Sequence, residues 1–523
     1  MSTIPYLKIE GNEPTLMVDD EPFVILGGEL HNSSGSDLEY LNRVVWPGLR
    51  KLGGNCYLTP VYWECMEPQK DKFDFTLVDG VIEQAKREQV HLVLLWFGLW
   101  KNGSSAYVPH WMKQDAQYFY MRGQDGRLIE SVSPFCEAAV EADKKAYEKL
   151  MEHLRDTDKE HTVIMIQVEN EVGVWGHPRD YCEEAEKAFF SAIPEEMREF
   201  AADGGKKGTT WKEVFGREAC EYFMAWSLSK AVGKIAEAGK KIYPIPTFMN
   251  CVPNGMGVSD LAGSCPSGGP VPRVHKIWRK EAPAIDIYSP DIYIPMFKMI
   301  SAPFAAEGAF VLPETGGGSD VVAKALYSMA AYNTICYSPF GIEALMNPIS
   351  ENDLLSQTNQ EPGNWSPKLG EELAKAYKLL GLCWKRLREA RREGKIAAFI
   401  REGGFGEEFH LGTYTVSVYY DDTPPMPGIQ VRIPKRREDA PLGGGFILQE
   451  NDDTFLVCGV SANIIIEPEY AEQDQVFFLD KREIKLTDSG MVDGRILNGD
   501  ERNYLVLGSE LTVQRVKFYH RKK

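Results

Sequence analysis

Short apolar runs alternate with segments of helical periodicity along the first two-thirds of the chain. His91–Leu99 has the sequence HLVLLWFGL, the nearly continuous apolar pattern of a strand that is buried on both faces. Leu77–Gln89 and Cys136–Arg155 carry apolar residues at helical spacing. Eight such β/α units predict an α/β fold that closes as a (β/α)8 TIM barrel. The predicted strands are Phe23–Leu30, Asn55–Glu64, His91–Leu99, Val163–Val172, Ile242–Asn250, Ile285–Ile294, Phe310–Thr315 and Thr334–Ser338.

The pattern changes near residue 394, where helical periodicity ends and strand signals separated by Gly, Asp and Pro begin. We predict a barrel domain over 1–368, with an insertion at about 173–240 that forms loops and helices at the barrel mouth. A connecting helix follows over 369–394, and a small all-β sandwich occupies 395–523. The strands predicted for the sandwich are Phe409–Tyr420, Phe446–Gln449, Thr454–Val460, Asn463–Ile466 and Tyr504–Tyr519.

Composition excludes several classes of partner. The 523 residues carry a net charge of −18 without a concentrated basic patch, which argues against nucleic acid. Residues 1–12 lack the charged and apolar regions of a signal peptide, and no apolar run reaches membrane-spanning length. The ten cysteines are scattered without a C-x-x-C pair, which is typical of free thiols in a reducing compartment. We therefore expect a cytoplasmic protein with no membrane partner.

Two predicted strands end in glutamates, at the place where a β/α barrel holds its catalytic groups. Strand four ends in Glu169, Asn170 and Glu171, and strand seven ends in Glu314 before a run of glycines. A single glutamate at the end of a strand is more often a solvated or helix-capping residue. Two such glutamates on strands four and seven favour a functional role, because the ends of these strands face each other across a barrel mouth. Such a pair suits glycosidic bond cleavage, in which a protonated carboxyl assists the leaving group and an ionised one attacks the anomeric carbon.

Side-chain alternation does not decide which glutamate of strand four is the acid, because Glu169 and Glu171 share one face of a regular strand. Depth along the strand favours Glu171, which is nearer the opening, and leaves Glu169 as a buried, hydrogen-bonded support. We therefore predict Glu171 as the general acid/base and Glu314 as the nucleophile. In a retaining enzyme their carboxyl groups would lie about 5–5.5 Å apart.

The segment Gln167–Gly173 (QVENEVG) resembles the acid/base motif of the family 35 glycoside hydrolases, whose best-known members are β-galactosidases. The resemblance implies that Glu171 is the proton donor, that Asn170 binds the 2-hydroxyl of the sugar, and that Glu314 in Leu-Pro-Glu-Thr-Gly is the nucleophile. The resemblance continues in Trp63–Pro68 (WECMEP) and covers most of the barrel.

Strand three departs from the family. Galactose-specific members usually carry Cys-Ala-Glu-Trp there, and that glutamate holds sugar hydroxyls. Strand three of this chain ends in Leu95–Gly103 (LWFGLWKNG). The layout resembles a divergent bacterial branch in which one β-domain directly follows the barrel. The departure concerns the preferred sugar and leaves the implied reaction type unchanged.

Three further polar residues at strand ends are candidates to bind sugar hydroxyls. Glu29 and His31 end strand one, and a hydrogen-bonded pair at the barrel rim is the alternative interpretation for them. Glu64 ends strand two and is a candidate to replace the missing strand-three glutamate.

Two aromatic residues at strand ends, Trp96 and Tyr293, are candidates to stack on the sugar ring, with core packing as the alternative. The resemblance to the wider clan also implies that a tyrosine near strand six, Tyr293 or Tyr288, hydrogen-bonds the nucleophile.

The sequence therefore predicts a retaining exo-β-glycosidase that works by double displacement. The resemblance implies a β-galactosidase acting on non-reducing-end β-galactosyl residues of small oligosaccharides or glycosides. A β-glucosidase or transglycosylase with the same two glutamates is the enzymatic alternative, and a non-catalytic carbohydrate-binding protein is the other. We expect no cofactor and no metal, since the nine histidines form no ligand pattern. The expected partner is a carbohydrate substrate, and self-association into a homo-oligomer is left open.

Overall fold

Strands and helices alternate through the computed structural model, which describes residues 3–201, 208–254, 260–346, 366–404, 406–420, 441–469, 474–503 and 505–522. Backbone contacts divide the chain into two units. The first comprises Met1–Phe23, Gly28–Arg43 and Asn55–Glu314, and the second comprises Val24–Gly27, Val44–Gly54 and Thr315–Lys523. Within the described ranges, no helix has both the length and the apolar character needed to cross a bilayer.

The chain begins with a small antiparallel sheet that the sequence analysis did not predict, formed by the first three strands. Its first strand is mostly exposed and mixes charged with apolar residues, so it carries no clear alternation. The strands up to Thr315 are β1 (Tyr6–Glu10), β2 (Glu13–Val18), β3 (Glu21–Pro22), β4 (Ile25–Glu29), β5 (Cys56–Tyr62), β6 (His91–Lys101), β7 (Tyr120–Arg122), β8 (Leu128–Val132), β9 (Val163–Asn170), β10 (Thr247–Cys251), β11 (Ile287–Ile292), β12 (Phe310–Leu312) and β13 (Glu314–Thr315).

The central sheet has nine strands in the order β12–β14–β4–β5–β6–β9–β10–β11–β13, where β14 is Thr334–Tyr337. Neighbouring strands run parallel, as the register Cys56↔His91 between β5 and β6 illustrates. The two edge strands, β12 and β13, are halves of the predicted strand Phe310–Thr315. Pro313 separates them, because proline has no N–H to give to a ladder. Since one segment forms both edges, the sheet closes on itself, and the predicted (β/α)8 barrel is confirmed.

Helices follow the barrel strands, and long amphipathic helices such as Thr76–Glu88 and Glu137–Thr157 each bury one apolar face. Tyr147 in the helix Glu137–Thr157 illustrates the packing, since its ring lies where a β-carbon on Gly239 of the helix Ala219–Ile242 would stand. A glycine at this position therefore lets the two helices approach closely. The helices are α1 (Leu38–Tyr40), α2 (Trp46–Leu52), α3 (Trp63–Met66), α4 (Thr76–Glu88), α5 (His110–Lys113), α6 (Glu137–Thr157), α7 (Glu183–Phe190), α8 (Trp211–Phe215), α9 (Ala219–Ile242), α10 (His275–Glu281), α11 (Phe297–Ala305), α12 (Val321–Ala331), α13 (Glu343–Met346) and α14 (Pro367–Arg392).

The predicted insertion at about 173–240 contains α7, α8 and most of α9. Residues 202–207 of this insertion lie outside the described residues. Helix α9 spans 24 residues and packs on α6 in the helical layer around the barrel. The segment that departs from a simple β/α unit is therefore shorter than predicted.

The C-terminal part of the second unit is a β-sandwich, as predicted. One sheet has the order β15–β18–β19–β24–β21–β22 and the other has the order β16–β17–β20–β23. Phe399 and Phe455 from the first sheet share a buried core with Val416 and Leu507 from the second. The strands are β15 (Ile396–Ile400), β16 (Gly406–Leu411), β17 (Tyr414–Tyr420), β18 (Gly444–Asn451), β19 (Thr454–Val460), β20 (Ala462–Pro468), β21 (Asp474–Thr487), β22 (Gly490–Ile496), β23 (Leu505–Leu507) and β24 (Thr512–Lys522).

Two predicted strands of the sandwich are each two strands in the structure. Phe409–Tyr420 is divided into β16 and β17 by a turn at Gly412, whose φ of 61° is in the left-handed region that favours glycine. Tyr504–Tyr519 corresponds to β23 and β24, and Tyr504 itself lies outside the described residues.

Candidate active site

Three carboxyl groups converge at the ends of β9, β11 and β13. Glu171 directly follows β9, Asp291 lies near the end of β11, and Glu314 begins β13. The three side chains are buried, and each offers a carboxylate oxygen within 4.8 Å of the other two. The glutamates predicted on strands four and seven are therefore neighbours in the folded chain.

The end of β9 departs from regular strand geometry. Glu169 and Glu171 have φ values of 60° and 45°, a left-handed conformation that is uncommon for non-glycine residues and often marks functional sites. The Asn250 side-chain oxygen accepts a hydrogen bond from the Glu171 backbone N–H at 2.9 Å, which fixes this turn. Regular alternation ends here, so the two glutamates do not share a face.

Glu169 points into the barrel wall and supports strand β6. Its carboxylate accepts hydrogen bonds from the backbone N–H groups of Trp100 at 2.8 Å and Leu99 at 3.3 Å. Asp143 accepts from the same Leu99 N–H at 2.8 Å. Burial, together with the charge of Asp143, raises the pKa of Glu169 well above its ordinary value, and burial raises the pKa of Asp143 as well. Two buried carboxyls in contact cannot both ionise readily, so this pair shares a proton.

Glu171 has the electrostatic properties of a general acid. Burial, followed by the negative charge of Glu314, raises the pKa of Glu171 to about 7. A carboxyl group with such a pKa keeps its proton near neutral pH and can still release it to a leaving group.

Glu314 is held by two hydrogen-bond donors. The Tyr293 hydroxyl donates to one carboxylate oxygen at 2.7 Å, and the Asn250 amide donates to the other at 3.2 Å. Tyr293 is 40% exposed, so its ring faces the opening while its hydroxyl holds Glu314. The same Asn250 amide nitrogen donates to Asp291 at 2.8 Å, which links the two carboxyl groups.

Lys101 at the end of β6 introduces a positive charge into this acidic cluster. Its side chain is buried, and its ammonium lies over the Phe97 ring at 4.7 Å from the centroid. Burial opposes the charged form, but the surrounding carboxylates outweigh it and raise the pKa of Lys101. These carboxylates belong to Glu314, Glu29, Glu171 and Asp291.

Asn170 lies between the carboxyl cluster and Lys101. Its amide is 2.9 Å from that of Gln167, 3.0 Å from that of Asn250 and 2.9 Å from that of Asn102. With its oxygen turned towards Lys101, it accepts from the ammonium at 3.1 Å. The amide therefore belongs to a polar network that spans β6, β9 and β10.

The other predicted polar residues have different surroundings. Glu29 and His31 are buried at the end of β4, and Glu29 is close enough to raise the pKa of Lys101. Glu64 lies on helix α3 and not at a strand end. Its half-buried carboxylate pairs with the Lys113 ammonium at 3.5 Å. Glu64 is therefore outside the carboxyl cluster.

The predicted stacking role of Trp96 is not supported by its position. Its side chain is fully buried, its indole N–H donates to Asp143 at 2.8 Å, and its ring packs against Tyr147 and Trp63. Trp175 is a better-placed aromatic residue, because it is 37% exposed and its ring lies against Gly103 in the turn after β6.

Sequence reasoning missed three residues of the cluster: Lys101, Asn250 and Asp291. Asn250 ends a predicted strand, Lys101 follows one by two residues, and Asp291 lies three residues before the end of another. The rule that selected the glutamates could therefore also have selected these polar residues. In the sequence, Lys101 is notable only as part of the departure in strand three from the family pattern.

The carboxyl cluster could chelate a divalent cation, since Glu171, Asp291 and Glu314 have suitable spacing. However, the Asn250 amide already donates to two of these groups, and the Lys101 ammonium supplies positive charge nearby. The protein itself therefore provides the counter-charge that these carboxylates need.

Two parts of the chain match known families. Residues 15–241, which include β4, β6 and Glu171, match the model of glycosyl hydrolases family 35. The resemblance of the QVENEVG segment to the family 35 motif is thus confirmed. Residues 373–507, which include most of the sandwich, match a domain of unknown function, DUF5597.

Among proteins of known sequence, the chain is similar to a β-galactosidase from Xanthomonas manihotis, with 24% identity over 206 residues. That alignment covers 37% of this chain and 31% of the relative, so the chain spans about a third of the relative's length.

Among solved structures, the chain is similar to a β-galactosidase from Rahnella sp. R3, with 14% identity and a TM-score of 0.49 over 69% of this chain and 56% of that one. It is also similar to a β-galactosidase from Bacillus circulans sp. alkalophilus, with 13% identity and a TM-score of 0.47 over 95% and 99% of the two chains.

Proposed function

We propose that this protein is a retaining exo-β-glycosidase, with Glu171 as general acid/base and Glu314 as nucleophile. The proposal rests mainly on one observation: a carboxylate oxygen of Glu171 lies within 4.8 Å of a carboxylate oxygen of Glu314. Retaining glycosidases hold these groups about 5–5.5 Å apart, whereas inverting enzymes need roughly 6.5–9.5 Å to admit water. The family 35 match and the β-galactosidase relative support β-galactosides as the first substrate class, and exo action follows from the family resemblance.

In the first step, a Glu314 carboxylate oxygen attacks the anomeric carbon as the bond to the glycosidic oxygen breaks. Glu171 transfers its proton to that oxygen, so that the aglycone leaves as a neutral alcohol and a glycosyl ester of Glu314 forms. The pKa of about 7 keeps this proton available near neutral pH.

In the second step, Glu171 takes a proton from water as the water oxygen attacks the anomeric carbon and releases Glu314. The ester has removed the negative charge of Glu314, which is one of the two causes of the raised pKa of Glu171. The acid of the first step can therefore act as the base of the second.

The neighbouring side chains are proposed to bind the sugar. Asn170 is assigned to the 2-hydroxyl, and Tyr293 holds Glu314 at 2.7 Å while its exposed ring faces the sugar. Glu29 and His31, buried at the end of β4, are assigned to other hydroxyls.

The first test compares Glu171→Ala and Glu314→Ala on nitrophenyl β-galactoside, with and without azide. We expect each variant to lose about 10²–10⁴-fold or more in kcat/KM. Azide should restore turnover, giving the β-glycosyl azide with Glu171→Ala and the α-glycosyl azide with Glu314→Ala, because the anion replaces a different carboxylate in each.

Glu221→Gln is the matched control, since Glu221 is a buried carboxyl group outside the cluster whose pKa is also raised to about 7. It should keep wild-type kcat/KM. Near-normal activity of Glu314→Ala, or initial release of the α-anomer from a β-galactoside by the wild type, would contradict the proposal.

A second candidate keeps both glutamates and changes the sugar or the acceptor. Lys101 and Asn102 occupy the end of strand three, where galactose-specific members of the family carry a hydroxyl-binding glutamate. A β-glucosidase or transglycosylase would fit this departure. Initial rates on the β-galactoside, glucoside, fucoside, xyloside and mannoside of nitrophenol, with product analysis at high acceptor concentration, separate these candidates.

The domain organisation and location are part of the same proposal. We infer a catalytic domain over 1–368, a connecting helix over 369–394 and a supporting β-domain over 395–523. All ten cysteines are free thiols, which supports a reducing compartment such as the cytoplasm.

A further inference from the structure

Asp291 is a third carboxyl group beside the two proposed catalytic ones, and neither the sequence motif nor the family match assigns it a role. It is 4% exposed, and one of its oxygens lies within 4.8 Å of both Glu171 and Glu314. Its Oδ2 accepts a hydrogen bond from the Asn250 amide at 2.8 Å. Its Oδ1 is buried and accepts no hydrogen bond from a donor among the described residues.

A buried carboxylate oxygen without a partner is costly if it is ionised, and much less so if it carries a proton that it can donate. The titratable groups around Asp291 and Glu171 make ionisation of Asp291 still more costly, because Lys101 is the sole cation among them. These groups are Glu314, Glu29, Lys101, Cys251 and Tyr293. Burial, then the charges of Glu314 and Glu171, raises the pKa of Asp291 well above its ordinary value.

We propose that Asp291 stays protonated at neutral pH and donates a hydrogen bond from Oδ1 to Glu171, as the positioning residue of the general acid/base. The proposal rests on the role of Glu171 proposed above. The Asn250 amide fixes which oxygen carries the proton, because it needs Oδ2 as an acceptor.

This hydrogen bond would act on both steps of the reaction. While Glu171 is protonated, it accepts from Asp291 with one oxygen and presents its own proton to the leaving group with the other. When Glu171 becomes a carboxylate, the same hydrogen bond becomes charge-assisted and stronger, which stabilises the transition state of proton donation. The proton on Asp291 stays in place throughout.

Two substitutions separate a proton donor from a charged acceptor. Asp291→Asn keeps an acceptor for Asn250 and places an N–H donor where the Asp291 proton stands. We expect it to keep kcat/KM within about tenfold of wild type and to leave the basic limb of the pH profile in place. Asp291→Ala removes the donor and should lose about 10²-fold with poor leaving groups, but much less with dinitrophenyl glycosides, which need little acid assistance.

An ionised Asp291 would give the opposite result. Its charge would raise the pKa of Glu171, so Asp291→Asn would move the basic limb to lower pH by about one unit and lose activity. The same loss would follow if an ionised Asp291 accepted a hydrogen bond from a sugar hydroxyl, and either outcome would overturn the proposal.

A measurement that does not depend on turnover distinguishes this proposal from the proposed function. The infrared difference spectrum between wild type and Asp291→Asn at pH 7 should contain the carbonyl band of one protonated carboxyl group. Glu221→Gln should remove a separate carboxyl signal and leave the pH profile of activity unchanged. Absence of the Asp291 band would contradict the inference, even if azide restores turnover of Glu171→Ala as expected for the general acid/base.

Discussion

Lys101 is the residue whose charge most changes the chemistry of the carboxyl cluster. The Lys101 side chain is buried. Its ammonium interacts with the carboxyl groups of Glu29, Glu171, Asp291 and Glu314. Its positive charge opposes the two effects that raise the pKa of Glu171, which are burial and the charge of Glu314. We infer that Lys101 keeps the pKa of Glu171 near neutrality.

Replacing Lys101 with methionine tests this role, because methionine has a similar length and no charge. We expect kcat/KM of Lys101→Met to fall by about 10²-fold or more, because the buried carboxyl groups lose their cation. The basic limb of its pH profile should move to higher pH, because the charge of Lys101 lowers the pKa of Glu171. The measurement is kcat/KM for nitrophenyl galactoside across the pH range.

Lys240→Met is the control, because Lys240 pairs with Asp286 and bonds Thr247 at the opposite end of β10 from Asn250. It should leave both limbs unchanged. A basic limb that does not move in Lys101→Met would mean that the charge of Lys101 does not affect the pKa of Glu171.

At the scale of elements, the end of strand β6 decides which side chains reach the site. In the register between β6 and β9, Trp96 pairs with Val168 and Lys101 pairs with Asn170. The chain therefore advances five residues along β6 but only two along β9 between these pairs. The three additional residues form a bulge whose N–H groups are bound by Glu169 and Asp143. The bulge brings Lys101 opposite Asn170.

Gly98 lies inside this bulge, where a β-carbon would collide with the carboxylates of Asp143 and Glu169 and with the indole of Trp96. None of these buried groups can move without breaking a hydrogen bond. We therefore expect Gly98→Ala to lower the free energy of unfolding by about 2 kcal/mol or more, as measured by urea denaturation.

Gly381→Ala provides the contrast, because Gly381 is an exposed position within α14 and a β-carbon there would have no atom within 4 Å. Alanine favours helix, so this variant should be as stable as wild type or more stable by about 0.5–1 kcal/mol. Equal stability of the two variants would contradict tight packing at the bulge.

At the scale of the whole molecule, buried carboxyl groups couple stability to pH. Glu171 and Glu221 have pKa values of about 7, against 4.5 for an exposed glutamate, and burial is the main cause for both. Between these values the folded protein holds protons that the unfolded chain has released. The free energy of unfolding therefore falls as pH rises from about 4.5 to 7.

Glu221→Gln should remove part of this dependence. A pKa of about 7 in place of 4.5 corresponds to about 3 kcal/mol of stability lost across the interval, and glutamine does not titrate. We expect the free energy of unfolding of the variant, measured by urea denaturation, to fall correspondingly less between pH 5 and 8 than that of wild type.

In Glu213→Gln, the free energy of unfolding should fall with pH as much as in wild type. The reason is that hydrogen bonds from Thr209 and Thr210 lower the pKa of Glu213 to about 2. Glu213 is therefore ionised throughout the interval whether the chain is folded or unfolded. A decline in Glu221→Gln as large as that of wild type would contradict the assignment of a raised pKa to Glu221.

The sequence by itself determined the barrel, the sandwich and the two glutamates on strands four and seven. These features have local signals, because a buried parallel strand is a continuous apolar run and a polar residue that ends the run lies at the rim of the sheet. The acid/base motif QVENEVG is likewise contiguous in the chain.

Only the tertiary structure decided which strand-end residues meet. The bulge in β6 brings Lys101 towards Asn170 and leaves Trp96 in the core, and left-handed backbone at Glu169 and Glu171 turns two nearby glutamates to different surroundings. Bulges and left-handed turns have no periodic signature, since they depend on hydrogen bonds between distant segments. The meeting of Asp291 with Glu171 and Glu314 likewise depends on barrel closure, which no local pattern encodes.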